Sequence, residues 1–278
     1  MIELVFPQGR EKAFTTSYDD GVKQDQRLVK IMNEHGIRGT FNLSCGLLGK
    51  NGRAVIDGFD TDISKVPLNE INATYNGHEI ACHSYTHPDL TKETSESIDT
   101  QIDTDRRTLE RETGTLVQGF AYPYGTYNDI VLEKLKDHGI RYARTVHSTR
   151  QFTIPDDFLL WHPTCHHNEP DLMALIEDFC NKTSYIGTNG LFYLWGHAYE
   201  FDQRKNWNVI EELFTYLDDY HEHIWFASNG DIESYVENYR RLRISADESM
   251  IFNPSKQTVW IQYNGNKKEI QPGLSRLE

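Results

Sequence analysis

His35-Gly36-Ile37-Arg38 and His138-Gly139-Ile140-Arg141 are two copies of one tetrapeptide, each set between a stretch of helical period and a short β-branched or aromatic run. Gly36 and Gly139 stand where a helix takes a left-handed C-terminal cap before the chain turns into a strand. Working outward from these two junctions, strands are predicted near 13–18, 39–44, 78–84, 118–122, 141–146, 158–164, 190–196 and 223–228. Helices are predicted near 24–35, 92–113, 127–138, 170–182, 206–221 and 231–242. This alternation is the rhythm of repeated βα units. Seven or eight such units in about 240 residues predict an α/β fold, a closed or nearly closed parallel barrel rather than an open doubly wound sheet. No Gly-x-Gly-x-x-Gly follows an early strand, so no dinucleotide site is expected.

From about residue 245 the pattern changes to alternating apolar residues around an Asn264-Gly265 turn, which predicts a β-hairpin. The expected division is a barrel over 1–244 and a C-terminal β extension over 245–278, with Trp260 packing the hairpin down. The stretch 47–76 reads as a long insertion near one rim.

The 278 residues carry 28 Lys and Arg against 42 Asp and Glu, a net charge of −14. An acidic chain without a basic stretch argues against nucleic acid and against an anionic membrane surface as partners. Glu3 and Pro7 interrupt any secretory apolar run, and no later segment is apolar for long enough to span a bilayer, so the sequence predicts a cytoplasmic protein. Cys45, Cys82, Cys165 and Cys180 are widely spaced and fit buried free thiols rather than a disulfide framework.

The chemistry-bearing residues follow predicted strands, at the end of a barrel where catalytic groups gather. Asp19 and Asp20 close the first strand ahead of Gly21; two adjacent carboxylates repel unless a cation or a shared proton intervenes. An isolated Asp-Asp-Gly is more often a turn. His83 and His87, four residues apart after the run Glu79-Ile80-Ala81-Cys82, can face one another across one turn. Alone, such a pair is more often surface or core packing. Combined with a carboxylate it makes a two-nitrogen, one-oxygen set suited to a catalytic divalent ion. Tyr122-Pro123-Tyr124-Gly125 fixes a strand-to-loop exit, and Leu194-Trp195-Gly196-His197 adds a histidine after another apolar strand. Four polar rim elements on four strands outweigh the bland reading of each one.

Ser17-Tyr18-Asp19-Asp20-Gly21 resembles the Thr-Phe-Asp-Asp-Gly motif of the polysaccharide deacetylases, the NodB-homology or carbohydrate esterase family 4 enzymes. Gly77-His78-Glu79-Ile80 with His83-Ser84-Tyr85-Thr86-His87 resembles their second motif, Pro123-Tyr124-Gly125 the third, and the run from Leu191 to His197 the last. The resemblance covers about residues 10–240. It implies a distorted (β/α)₇ TIM-like barrel and metal-dependent removal of an acetyl group from an N- or O-acetylated substrate. It makes Asp19 the general base, Asp20, His83 and His87 the metal ligands, His197 the general acid, and the backbone N–H of Tyr124 a donor to the oxyanion. Zn²⁺ is the expected ion, with Co²⁺, Ni²⁺ or Fe²⁺ as alternatives. Tyr122, Pro123 and Trp195 are candidates to contact an acetylated saccharide or small amide, and each aromatic is equally a candidate for wall packing.

Two positions depart from the family pattern. Ala121 stands where many relatives place an arginine that orients the base, and no Asp-Trp pair supports the histidine, although Asp156, Asp157 and Trp161 lie in that region. His162, His166 and His167 crowd the same stretch, and Glu200 follows His197 by three residues as either a site residue or a rim charge. Two other readings stay open: an amidohydrolase acting on a non-sugar or cyclic amide, and a catalytically inactive carbohydrate-binding relative. The second does not account for Asp19 and His197, which serve turnover rather than metal binding.

Overall fold

The computed structural model describes residues 2–181 and 190–277. The last residue of the 170–182 helix and the outermost residues of the two expected domains lie outside that set. Seven parallel strands form a curled sheet in the spatial order Tyr142–Arg144, Gly119–Ala121, Glu79–Cys82, Thr40–Leu43, Lys12–Asp19, Leu191–Gly196 and Cys165–His166. An eighth, Ile224–Phe226, pairs with the start of Lys12–Asp19, whose far end pairs with Thr40–Leu43. The sheet curls far enough that its two ends are joined by the segment at 161–166: Trp161 bridges Arg144 on one side, and Cys165 and His166 pair with Leu194 and Trp195 on the other. The fold is a distorted (β/α) barrel. All eight residues of Lys12–Asp19 are buried, as a strand with neighbours on both sides and helices outside requires.

The two tetrapeptides do what their glycines predict. Gly36 and Gly139 have φ of 62° and 71°, and Ile37 and Ile140 donate their N–H groups back to the carbonyls of Met32 and Leu135, closing each helix before its strand. The Ser95–Thr113 helix starts on the Thr94 side chain, which accepts the Ser97 N–H, and stops at Gly114. It buries Ile98, Ile102, Asp105 and Leu109, spaced along one face. Asp105 is the polar member of that stripe. Its carboxylate accepts the N–H of Cys45 at 2.8 Å and of His83 at 3.1 Å, so a helix outside the barrel fixes the backbone of a rim histidine.

The predicted 158–164 strand is replaced by a single turn over Phe158–Leu160, where the Asp157 carboxylate accepts the Leu159 N–H, followed by the Trp161 bridge. Apolar content alone does not separate such a turn from a strand. The 47–76 insertion contains a hairpin, Arg53–Ile56 with Phe59–Asp62, that leans on the Tyr199–Arg204 helix through a bond from Gln203 Nε2 to the Ile56 carbonyl, 2.7 Å long.

The Asn264-Gly265 turn joins Val259–Tyr263 to Asn266–Ile270. Both turn residues have positive φ, 50° and 79°, the geometry that matches strand twist in a two-residue hairpin loop. The third strand of this sheet is Ile2–Val5, from the other end of the chain. Among the described residues no helix is long and apolar enough to cross a membrane.

Candidate active site

The carboxyl ends of the barrel strands bring Asp19, Asp20, His83, His87 and His197 together. Asp19 ends its strand with 2% of its surface exposed. One carboxylate oxygen, Oδ1, accepts from Asn42 Nδ2 at 2.8 Å, and Oδ2 accepts from the Arg144 guanidinium. His83 Nε2 and His197 Nε2 each lie 3.9 Å from Asp19 Oδ2. Burial alone would raise the Asp19 carboxyl; Arg144, His83 and His197 outweigh it and hold the group below the ordinary carboxylate value.

Arg144 supplies what Ala121 lacks. In the parallel register Ala121 is paired with Arg144, so the guanidinium rises from the neighbouring strand at the same level of the barrel. It is fully buried and stacks over Trp195, 4.5 Å from the ring centroid. A charged residue in the apolar run Tyr142-Ala143-Arg144 was the signal available in the sequence, since a buried arginine needs a partner.

Asp20, His83 and His87 form a second group, their ligand atoms all within 4.8 Å of one another. His83 Nδ1 lies 2.8 Å from the Ala121 carbonyl, an acceptor only, so the ring proton sits on Nδ1 and the lone pair on Nε2 faces the site. Burial pushes the His83 imidazole down to about 4 and also lowers His87, so both rings are neutral and able to ligate near neutral pH. Lys65 Nζ is 3.4 Å from Asp20 Oδ1, and it overcomes the effect of burial to hold Asp20 ionised. Two neutral imidazole nitrogens and one carboxylate oxygen, gathered without a proton between them, fit a divalent cation.

The backbone around this set is held in the left-handed region at Asp20, Ser84, His87 and Tyr124, with φ of 82°, 60°, 57° and 59°. Non-glycine residues pay roughly 1–3 kcal/mol for such positions, which cluster where side chains must be aimed. Tyr124 projects to solvent, 64% exposed, and its ring meets His87 edge-on at 4.7 Å. Tyr122 and Pro123 do not share that exposure. Tyr122 is 1% exposed and gives its hydroxyl to the Leu159 carbonyl at 2.8 Å, so it packs in the wall of the barrel. Trp195 is also largely buried, with one face taken by Arg144 and a T-shaped contact to His166.

His197 Nδ1 lies 2.8 Å from Glu200 Oε1. Burial would lower the imidazole, but the Glu200 contact and the charges of Asp19 and Asp20 raise it above the ordinary value. Trp161 packs against Phe158, Tyr142 and Tyr193 in the core, and Asp157 caps its own turn, so neither takes up the supporting role.

The family model for polysaccharide deacetylase matches residues 7–143. Residues 7–143 belong to the polysaccharide deacetylase family. Asp19, Asp20, His83, His87 and Tyr124 lie within the matched stretch, whereas Arg144, His197 and Glu200 lie beyond it. A bifunctional xylanase/deacetylase of Pseudobutyrivibrio xylanivorans is 25% identical over 126 residues, 45% of this chain and 19% of that protein. The uncharacterized protein YlxY of Bacillus subtilis is 27% identical over 121 residues, 44% of this chain and 33% of that protein. The aligned stretch thus spans a third or less of either curated relative. Among solved structures, the peptidoglycan deacetylase PdaC from Bacillus subtilis superposes with a TM-score of 0.52 at 16% identity, covering 85% of this chain and 95% of that one. The carbohydrate esterase family 4 domain of a multidomain xylanase from the hindgut metagenome of Trinervitermes trinervoides gives 0.53 at 16% identity, covering 82% and 92%. These likenesses show the shared barrel.

Proposed function

We propose that this protein is a metal-dependent hydrolase that removes acetyl groups from N- or O-acetylated carbohydrate, with soluble oligosaccharides or small acetylated metabolites as substrates. The observation that carries this reading is the convergence of His83 Nε2 and His197 Nε2 on Asp19 Oδ2, each at 3.9 Å, beside the Asp20-His83-His87 donor set. When held by Asp20, His83 and His87, a divalent ion such as Zn²⁺ supplies positive charge that polarises the acetyl carbonyl and brings the pKa of water down to about 7.

Asp19 is the base. Held ionised by Arg144 and Asn42, and outside the ligand set, it takes a proton from the attacking water as the water oxygen bonds to the acyl carbon. The carbonyl oxygen then carries the charge, and the backbone N–H of Tyr124 donates to it. Collapse breaks the bond from the acyl carbon to the amine nitrogen or ester oxygen, and His197 Nε2 delivers a proton to that leaving atom. Acetate and a free amine or hydroxyl result.

The test is acetate release together with metal content, using N-acetylglucosamine oligomers and simple acetyl amides. Wild type is expected to hold about one equivalent of metal and release acetate, His83→Ala to lose the metal, and Asp19→Asn to keep it without turnover. Metal-loaded wild type that releases nothing from any of these compounds refutes the reading.

A further inference from the structure

One carboxylate stands at the centre of the polar residues that the deacetylation chemistry leaves unused. Glu200 Oε1 lies 2.8 Å from His197 Nδ1 and 3.4 Å from His166 Nε2. Its other oxygen, Oε2, lies 3.1 Å from His167 Nε2 and accepts from Asn168 Nδ2. A carboxylate has about four lone-pair sites, and here four nitrogens address them.

His166, His167 and Glu200 also have the composition of a metal site, with ligand atoms within 4.8 Å. The tautomer of His166 decides between the two. Its Nδ1 accepts the backbone N–H of Asn168 at 3.1 Å, so the proton of the neutral ring is on Nε2, the atom that faces Glu200. Ligation through Nε2 would move that proton to Nδ1 and set it against the Asn168 N–H. The cluster is therefore a hub centred on one carboxylate, hydrogen-bonded to His197 and Asn168, with the ring nitrogens of His166 and His167 packed beside it. His167, 1% exposed, is clamped into it: its ring stacks on Phe201 at 4.2 Å, and a Cβ at Gly196 would lie 2.1 Å from its Nδ1. Gly196 thus admits the ring that reaches Glu200.

We infer that Glu200 is the positioning residue for His197, and that His166, His167 and Asn168 hold it there, so that Nε2 is the nitrogen of His197 that delivers the proton. This rests on the reading of His197 as proton donor. Glu200 accepts at Nδ1, which fixes the proton on that atom and turns Nε2 towards Asp19. That support comes from the first turn of the Tyr199–Arg204 helix, braced by the strand residue His166 and its two successors.

The inference is tested first without turnover. Two-bond ¹H–¹⁵N spectra of histidine-labelled protein, recorded above the titration of His197, report which nitrogen carries the proton. Wild type is expected to show the Nδ1–H form at His197, and Glu200→Leu the Nε2–H form that free imidazole prefers. In acetate release, Glu200→Gln is expected to lower kcat by about 10²-fold or more with KM and metal content unchanged. His166→Phe, which loosens the hub without touching His197 Nδ1, is expected to lower kcat about tenfold and serves if Glu200→Leu does not fold. A wild-type Nε2–H form, an unaltered tautomer in Glu200→Leu, or full kcat in both other variants overturns the inference. Absence of acetate release from wild type strikes the deacetylase reading instead, and the spectra still decide the role of Glu200.

Discussion

Replacing Arg144 by Met keeps a long stem beneath Trp195 and removes the charge that faces Asp19. Both side chains of this pair are sealed from water, at 0% and 3% exposure. Two unit charges at about 3 Å attract by roughly 5 kcal/mol at an effective dielectric of about 20. Breaking a buried pair from one side costs about 3–5 kcal/mol, because the surviving charge stays buried. Asn42 remains on Asp19 Oδ1, which favours the lower half of that range. For a chain of this size the loss corresponds to a fall in Tm of roughly 6–16 °C. Thermal and urea unfolding measure it, with Asp19→Asn and the double variant completing a cycle. The double variant is expected to recover much of the stability lost in Arg144→Met, since no unpaired charge is left. The pH dependence carries a sign as well. The folded carboxyl of Asp19 is depressed, so its contribution is present above the unfolded value and is lost as pH falls through the folded one, below about 4. Arg144→Met should lose that acid-side dependence. Wild-type stability in Arg144→Met, or strictly additive losses in the cycle, would refute the claim that this pair holds the base.

Lys65→Met removes the ammonium beside Asp20 and is expected to tighten Zn²⁺ binding by about tenfold or more in calorimetry; unchanged affinity would mean that the lysine does not compete for that carboxylate. Asp25 is buried, accepts from Tyr75 at 2.7 Å, and burial raises its carboxyl to about 8. A raised acid stabilises the fold least at high pH, so metal-free protein should lose stability from about pH 4 to pH 8, and Asp25→Asn should flatten that slope in urea titrations. Gly196→Ala would press a methyl against His167 and is expected to cost about 1–3 kcal/mol and to lower acetate release; an equally stable, equally active variant would show that His167 has room to move.

The sequence displays the site wherever its members are neighbours along the chain. Asp19 with Asp20, and His83 with His87, are each set by a strand end and one turn, so their grouping follows from local geometry. The charge of Arg144 in its strand was a signal, but its partner was not legible, because Asp19 is 125 residues away and only the register of two parallel strands, Ala121 opposite Arg144, brings the arginine to the base. His167 looks like part of a solvated histidine-rich loop, yet it is buried, because Cys165–His166 closes the barrel and carries the next residue inward. Tyr122 was a candidate for substrate contact on composition, but tyrosine serves equally as a core aromatic with a bonded hydroxyl, and Leu159 takes that bond. The Ile2–Val5 strand escaped notice for a related reason: four residues have no recognisable period without the partner that pairs with them.

That pairing sets an order of events during synthesis. Ile2 to Val5 leave the ribosome before the barrel, and their register partners, Tyr263 back to Trp260, emerge only after the whole barrel has been made. At about 5–20 residues per second, the first strand waits on the order of 10–50 s for its neighbour. During that interval Leu4 and Phe6, which end up buried with Ile261 and Tyr235, have no sheet to join. A nascent chain stalled before residue 259 should therefore expose this apolar segment to chaperones or proteases, and its release should coincide with the emergence of the hairpin around Asn264-Gly265.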